Sequence, residues 1–493
     1  MVSTRRLLRS NELWLFLGLL ACFAYFPPRW AEWNQNSRMD LTRAIVEQGR
    51  FEIDDYYQNT GDYAVYGGHI YTDKAPGTSF LAVPTYAFYR ALARTPFVND
   101  AITRLSRSEA LAQTLREGGS GLLADKVYFA GALYVSTLFA VSIPSALAGV
   151  ALYRFLALFV VNRRVRLLAT LGYALGTVVF PYSTVFYGQQ IAAALILFAW
   201  ERLYHVRRGA APPHTLYVAG ALLGMAVLTE FTSALPAGFL VIYTFIGLKR
   251  KADIARLAIG GLPFAVLLGF YNAACFGSPF TSSYRYLGRF PEIVNYGFMG
   301  FGLPRLEALW GITFSPFRGL FFYSPFLLLA FPGWWLWRRD GAHRAEWGLS
   351  LAAVAMHLVF ISGWYDWKGG FAIGPRNLLL VLPFMIIPAA VALEAAWPRR
   401  AWRWLASGLV ALSVVIVGIA SVSGQDFPPI TIANPLFEFF LPKFQSGDIT
   451  RNLGMFAGLP AYWSLLPIAI FVGGLSLWLF AFRGEPNRSP LRA

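Results

Sequence analysis

A series of apolar runs with no polar face constrains this chain more than any other feature. Stretches such as "LWLFLGLLACFAYF", starting at Leu13, and "LLLVLPFMIIPAAVALEAA", starting at Leu378, recur along its length. A helix of a soluble protein keeps a polar face, so helices that are apolar all round belong in lipid. The composition agrees, with 56% hydrophobic and only 14% charged residues among 493. The runs predict an all-α polytopic membrane protein of about twelve transmembrane helices, each close to the roughly 20 residues that cross a bilayer. They begin near Leu13, Val127, Leu167, Thr184, Leu216, Ser233, Ile254, Gly319, Trp347, Asn377, Trp402 and Ala461, the third to sixth being short.

Charge sets the orientation. The net charge of +16 is not gathered in one basic patch, which argues against a nucleic-acid partner; it sits in short clusters between apolar runs. With the N-terminus inside, "STRRLLR", "VNRRVR", "YHVRRG", "LKRKADIAR", "WRRDGAHR", "WPRRAWRW" and "FRGEPNRSPLRA" all face the cytoplasm. The chain then divides into a cytoplasmic N-terminus and first span (1–27), a long first periplasmic loop (28–126), a transmembrane core (127–275) and a second outer loop (276–318). Transmembrane helices carrying the "GWYDWKGGFAIGPR" loop follow (319–422), then an outer loop (423–462) and the last span with a cytoplasmic tail (463–493). The basic start resembles a signal peptide, but no small-residue cleavage site follows and "PPRW" suits an uncleaved span. Two cysteines, Cys22 and Cys275, and histidines without ligand spacing predict neither a disulfide framework nor a thiolate metal site.

The polar motifs fall on the outer side. In "GDYAVYGGHIYTDKAPG", from Gly61 to Gly77, a Gly67-Gly68 turn pairs Tyr66 with His69 and Tyr63 with Thr72, forming a small β-hairpin. The next pair in that register is Asp62 opposite Asp73. Facing carboxylates repel unless they share a proton, hold a cation or sit beside a positive group such as Lys74. Upstream, "NSRMDLTRAIVEQG" predicts a helix with Ser37 as N-cap, Asp40 as its capping-box partner and Gly49 as the stop. Leu41, Ala44 and Ile45 form an apolar stripe that would lie on the membrane surface. "TSFLAVPTYAFYRALA" predicts an interfacial or re-entrant helix.

This arrangement resembles the type C glycosyltransferase superfamily, which includes protein O-mannosyltransferases and lipid A aminoarabinose transferases. The shared features are a basic N-terminus, one span, a large outer loop whose helix ends in Gly49, and a Lys-Pro type motif at "KAPG". The resemblance implies a polyprenyl-phosphate sugar donor used at the outer face of a bacterial inner membrane, with a glycan, lipid or protein acceptor. Counting back from Gly49, the family's acidic pair falls on Asn34 and Gln35, both amides, while Lys74 matches its lysine. The chain is closer to a bacterial subgroup with "NSR", "ID", "TGD" and "GHxYxDKAPG" early and "WxGGxxxGPR" late, here Asn36 to Arg38, Ile53 to Asp54, Thr60 to Asp62, Gly68 to Gly77 and Trp367 to Arg376.

Such a reaction needs a carboxylate base and cations on the departing phosphate. The hairpin pairing would push one of the Asp62 and Asp73 pKa values up; the candidate bases are Asp62, favoured because Asp73 adjoins Lys74 and would orient it, then Asp54, with Asp40 and Asp73 behind; Asp55 reads as a surface acid. The candidate phosphate ligands are Lys74, Arg376, Arg318 and Arg38. Asn34, Gln35, His69, Gln189, Gln190, Glu230, Trp364, Tyr365 and Trp367 are expected to line the substrate groove, with Asp366 pairing Lys368. No nucleotide-phosphate loop or inner-face Asp-x-Asp is present, so a nucleotide-sugar donor is not expected. No cofactor is expected, although Asp62 and Asp73 leave room for a divalent metal. The competing readings are a transporter or flippase of a lipid-linked saccharide and a non-catalytic relative.

Overall fold

The computed structural model describes residues 11–29, 32–115 and 121–481. The basic clusters "STRRLLR" and "FRGEPNRSPLRA" lie outside these. Among the described residues the architecture is all-α, apart from one two-stranded sheet. The first long loop holds α2 (Trp33–Gln48), the hairpin strands β1 (Tyr63–Tyr66) and β2 (His69–Thr72), α3 (Gly77–Ala93) and α4 (Pro96–Leu105), and follows α1 (Asn11–Ala24).

The apolar runs then form α5 (Ala124–Leu156), α6 (Arg163–Leu175), α7 (Gly188–Arg207), α8 (Thr215–Thr229), α9 (Phe231–Gly247) and α10 (Lys251–Phe276). After a second long loop come α11 (Leu306–Thr313), α12 (Pro325–Trp337), α13 (Gly341–Gly363), α14 (Arg376–Ala396), α15 (Arg400–Val422) and α16 (Ala461–Phe480). A helix stands at or near each expected start. Six of them, α5, α10, α13, α14, α15 and α16, are long and apolar enough to cross a membrane. The main core packs between these helices, and α14 is its centre, buried along nearly its whole length.

The first loop departs from expectation at α2. The helix begins at Trp33, with Glu32 at the N-cap, so Ser37 and Asp40 are interior and no capping box forms. The Ser37 hydroxyl instead meets the Thr72 hydroxyl at 2.6 Å, tying α2 to the hairpin. Gly49 does end the helix, in the left-handed conformation (φ 68°) that glycine adopts without strain. Leu41, Ala44 and Ile45 face protein: they pack on Ile53, Ala64, Tyr71, Tyr271, Cys275 and Phe276 in a second core beneath the hairpin. A short stripe of this kind serves a membrane surface or a protein groove equally well, and tertiary packing decided it. Next to it, α3 packs on α2, α5 and α8. A Cβ on Gly77 would fall 2.7 Å from the Leu228 carbonyl, so only glycine lets the start of α3 lie this close to the end of α8.

Candidate functional site

The hairpin register is Tyr63 with Thr72, Ala64 with Tyr71, Val65 with Ile70 and Tyr66 with His69, which leaves Asp62 and Asp73 flanking its open end. Lys74 resolves their repulsion. Its Nζ stands 2.9 Å from a carboxylate oxygen of Asp62 and 2.9 Å from one of Asp73, and all three side chains are largely buried. The ammonium therefore fills the place between the acids that a bound cation would take. Local bonds set this geometry: the Lys74 N–H donates to Thr72 Oγ1 (3.2 Å), and Ser283 Oγ donates to the Asp73 carbonyl (2.8 Å). Burial pushes the Asp73 carboxyl up to about 6, with Lys74 opposing the shift and Asp62 adding to it. The sequence reading left open which of the pair is raised, and Asp73 is a raised carboxyl. Asp73 Oδ1 is buried without a hydrogen-bond partner.

Arg376 opens α14 from the other side of the site. It is 9% exposed, and its guanidinium lies over the Tyr187 ring at 5.3 Å. The "WYDWKGG" turn wraps it: Gly369 (φ 71°) approaches so closely that a Cβ there would fall 3.2 Å from Arg376 Nε. Arg376 Nε is itself buried without a partner. Buried Trp364 and Trp367 anchor the turn at both sides, Trp364 stacked on Phe301 and Trp367 against Phe317. They are packing residues and not exposed sugar platforms; of the three aromatics only Tyr365 is exposed, at 39%.

Two expected phosphate ligands are occupied elsewhere. The fully buried Arg318 donates from Nε to the Lys368 carbonyl (3.1 Å) and from Nη2 to the Gly370 carbonyl (2.9 Å), which clamps the glycine turn. Arg38, also fully buried, donates to Asn34 Oδ1 (3.1 Å) and the Ala75 carbonyl (2.9 Å), and pairs with Glu230 at 3.6 Å. It ties α2, the "KAPG" turn and the α8–α9 corner together. Isolated charge shows in a sequence; the carbonyls that absorb it do not.

The amides sit in the same framework. Asn34 is a partner of Arg38, and Gln35 Nε2 donates to the Arg29 carbonyl. Gln189 and Gln190 open α7 at the junction with Arg38 and Thr229, since a Cβ on the preceding Gly188 would meet the Thr229 carbonyl at 2.5 Å and Arg38 Nη2 at 2.9 Å. Both glutamines are buried, with amide atoms lacking partners. Glu230, Gln189 and Gln190, expected along a substrate groove, are all buried near Arg38 and Thr229.

Three residues leave the site. Asp54 accepts from the Ile70 N–H (2.7 Å) and pairs with His69 Nδ1 (2.8 Å), near the turn end of the hairpin. Desolvation of Asp54 is outweighed by these bonds, so its carboxyl is held low, and His69 is raised in return by its hydrogen bond to Asp54. Asp40 accepts from Asn59 Nδ2 (3.1 Å), while its Oδ2 is buried without a partner. Burial pushes its carboxyl well up, and the cation it senses is Arg43. Asp55 is the surface acid expected, paired with Arg50 at 2.6 Å.

Two acids were missed. Asp366 was assigned to Lys368, yet its field comes from Arg376, then Lys74 and Asp62, and its carboxyl is raised by desolvation against those cations. Glu32, beside the expected acidic positions, accepts from the Phe427 N–H at 2.9 Å and is pushed up to about 7 by burial, with that hydrogen bond and Arg29 opposing. Phe427 packs on Tyr187 and under Arg29, so Glu32 belongs to the cluster around Arg376. Only its position two residues before Asn34 hinted at this. The arrangement is a wall of carboxylates and two cations, Lys74 and Arg376, able to take a proton at one side of an anionic group and hold that group at the other. Among the described residues no cluster of three His, Cys, Asp or Glu side chains is placed to hold a metal ion.

No family model matches the chain, and no curated protein sequence matches it. Solved structures similar to it include two of one protein. ArnT from Cupriavidus metallidurans in the apo state aligns with TM-score 0.49 and 16% identity over 95% of this chain and 75% of that one. The same protein bound to undecaprenyl phosphate aligns with TM-score 0.46 and 15% identity over 97% and 72%.

Proposed function

We propose that this chain is a type C membrane glycosyltransferase that moves a sugar from a polyprenyl-phosphate donor to an acceptor hydroxyl at the outer face of the membrane. The observation that carries the reading is Lys74, bracketed by Asp62 and Asp73 at 2.9 Å each, in a site shared with Arg376. In the reaction, the acceptor oxygen attacks the anomeric carbon and its proton passes to a carboxylate. The bond from that carbon to the phosphate oxygen breaks, and polyprenyl phosphate leaves with the electron pair.

Asp62 is the proton acceptor. Only one of its oxygens faces Lys74, and it is the more exposed acid of the pair, so the other oxygen is open to an acceptor. Arg376 supplies a planar fork for phosphate oxygens, preformed by Gly369 and the Tyr187 ring. Lys74, 2.9 Å from Asp62, adds a second positive charge. The motifs "DKAPG" and "WxGGxxxGPR", distant in sequence, meet at this point, which supports a single site built from both.

The test is transfer from a polyprenyl-phosphate hexose by purified protein in lipid nanodiscs. Asp62→Asn is expected to lower the rate by about 10²–10⁴-fold, the usual worth of a general base, and Lys74→Gln to abolish transfer, both with protein retained in the membrane. Undiminished transfer in both variants overturns the assignment.

A further inference from the structure

The second long loop returns to the hairpin and adds a short third edge to it. Leu287 bridges Ala64 in antiparallel register, and the Gly288 N–H donates to the Tyr63 carbonyl at 3.0 Å. Glycine permits this approach, since a Cβ on Gly288 would fall 2.3 Å from the Tyr63 ring. The next pair in that register is Asp62 with Arg289, so Asp62 has Asp73 opposite on one side and Arg289 on the other. Arg289 does not close on the acid. Asp62 pairs with Lys74 at 2.9 Å, while the exposed Arg289 guanidinium lies 4.6 Å over the Trp33 ring and takes part in no hydrogen bond or ion pair among the described residues.

Trp33 is fixed beside the same acid. A Cβ on Gly61 would meet its ring at 2.7 Å, and the Thr60 hydroxyl donates to the Trp33 carbonyl (2.9 Å) while accepting from the Asp62 N–H (3.1 Å). Phe371 stands 6.4 Å from Trp33 and is 47% exposed, on the glycine turn that Arg318 clamps through the Gly370 carbonyl. An exposed aromatic face and an unpaired planar cation thus meet at Trp33, next to the acid proposed to take the acceptor's proton. A sugar lays its C–H face on such a ring, and a guanidinium held by a cation–π contact keeps its N–H fork for a carboxylate or phosphate.

We propose that Trp33, Arg289 and Phe371 form the acceptor subsite, and that the acceptor is a saccharide carrying an acidic group, bound with its ring on Phe371, its acid on Arg289 and a hydroxyl at Asp62. This rests on the glycosyltransfer reading above and specifies its acceptor. Arg289 is the residue that selects for charge.

The experiment titrates the full chain in nanodiscs, without donor, with two charged trisaccharides, trigalacturonate and 6-phosphomaltotriose, and with their neutral counterparts, the galacturonate methyl ester and maltotriose. At least one charged probe is expected to bind about tenfold or more tightly than its counterpart, the worth of a charge-assisted hydrogen bond; which one does so identifies the acid. Arg289→Met, which keeps an unbranched stem over Trp33, should bring that probe down to its neutral counterpart, and Arg289→Lys should restore part of the preference. Phe371→Ala should weaken charged and neutral probes alike, by about threefold to tenfold. A wild type that prefers neither charged probe overturns the proposal, as does a preference that survives Arg289→Met or sugar binding untouched by Phe371→Ala. Triglutamate bound as tightly as the charged sugars would make this a site for acidic peptides and overturn it too. So would a fall of about tenfold in binding of bare polyprenyl phosphate by Arg289→Met, since Arg289 would then hold the donor. A chain that passes these tests but fails the transfer assay above keeps the subsite and loses the reaction.

Discussion

Replacing Lys74 by glutamine tests the electrostatics of the site most directly. At 2.9 Å from each carboxylate, and with an effective dielectric near 20, each attraction is worth about 6 kcal/mol before desolvation is subtracted. Removing the cation from a buried cluster is expected to cost about 3–5 kcal/mol net, because two facing acids are left without a counter-charge. The protein has one way to relieve this. Asp73, already at about 6 with Lys74 in place, will bind a proton at still higher pH in the variant. The sign follows from linkage: its folded pKa lies above its unfolded one, so the stabilisation from protonation is complete at low pH and is lost as pH rises through the folded pKa. Lys74→Gln should therefore be most damaging near pH 8. Its deficit against wild type should narrow towards pH 6 by about 1.4 kcal/mol for each pH unit over which only the variant carries the extra proton. The assay is thermal unfolding of full-length protein in detergent micelles at pH 6, 7 and 8, with Lys74→Gln/Asp73→Asn as the control that should abolish the pH dependence. An equal deficit at pH 6 and pH 8, or none at all, refutes the bracketed arrangement.

Other variants probe single elements. Arg376→Lys keeps the charge but loses the fork, and should weaken polyprenyl-phosphate binding about tenfold in a nanodisc titration. Asp40→Asn removes a carboxyl that burial pushes well up; because that penalty is present above the folded pKa, the variant should match or exceed wild-type melting temperature at pH 8, with transfer unchanged. Gly77→Ala drives a Cβ to 2.7 Å from the Leu228 backbone, so it should cost about 1–3 kcal/mol, as overpacking does, and lower transfer by moving "KAPG" away from the α8–α9 corner.

What the sequence disclosed was mostly local. The Gly67-Gly68 turn set a register, the register placed Asp62 against Asp73, and Lys74 was near enough in the chain to be read as their counter-charge. The apolar runs located the helices because lipid allows no polar face. The failures involve distance. Arg318 read as a phosphate ligand because its partners are backbone carbonyls reached across 50 residues or more, and Arg38 because its partners, the Ala75 carbonyl and the Glu230 carboxylate, are likewise distant in the chain. Asp366 was matched with Lys368, two positions away, when the charges that matter to it are on α14 and the hairpin. Ser37 looked like an N-cap because Ser with a following acid usually is one; here a tertiary hydroxyl pair with Thr72 takes it instead.

The hairpin turn has a practical use. Gly67 and Gly68 both have positive φ and no neighbouring atom within 4 Å of where a Cβ would stand, and the turn is separated from the acidic pair by the length of a four-residue strand, roughly 13 Å. A short peptide tag inserted there meets no packed surface. Antibody or protease added to sealed cells or to inverted vesicles would then report on which side of the bilayer this end of the molecule lies, without a substitution in the site.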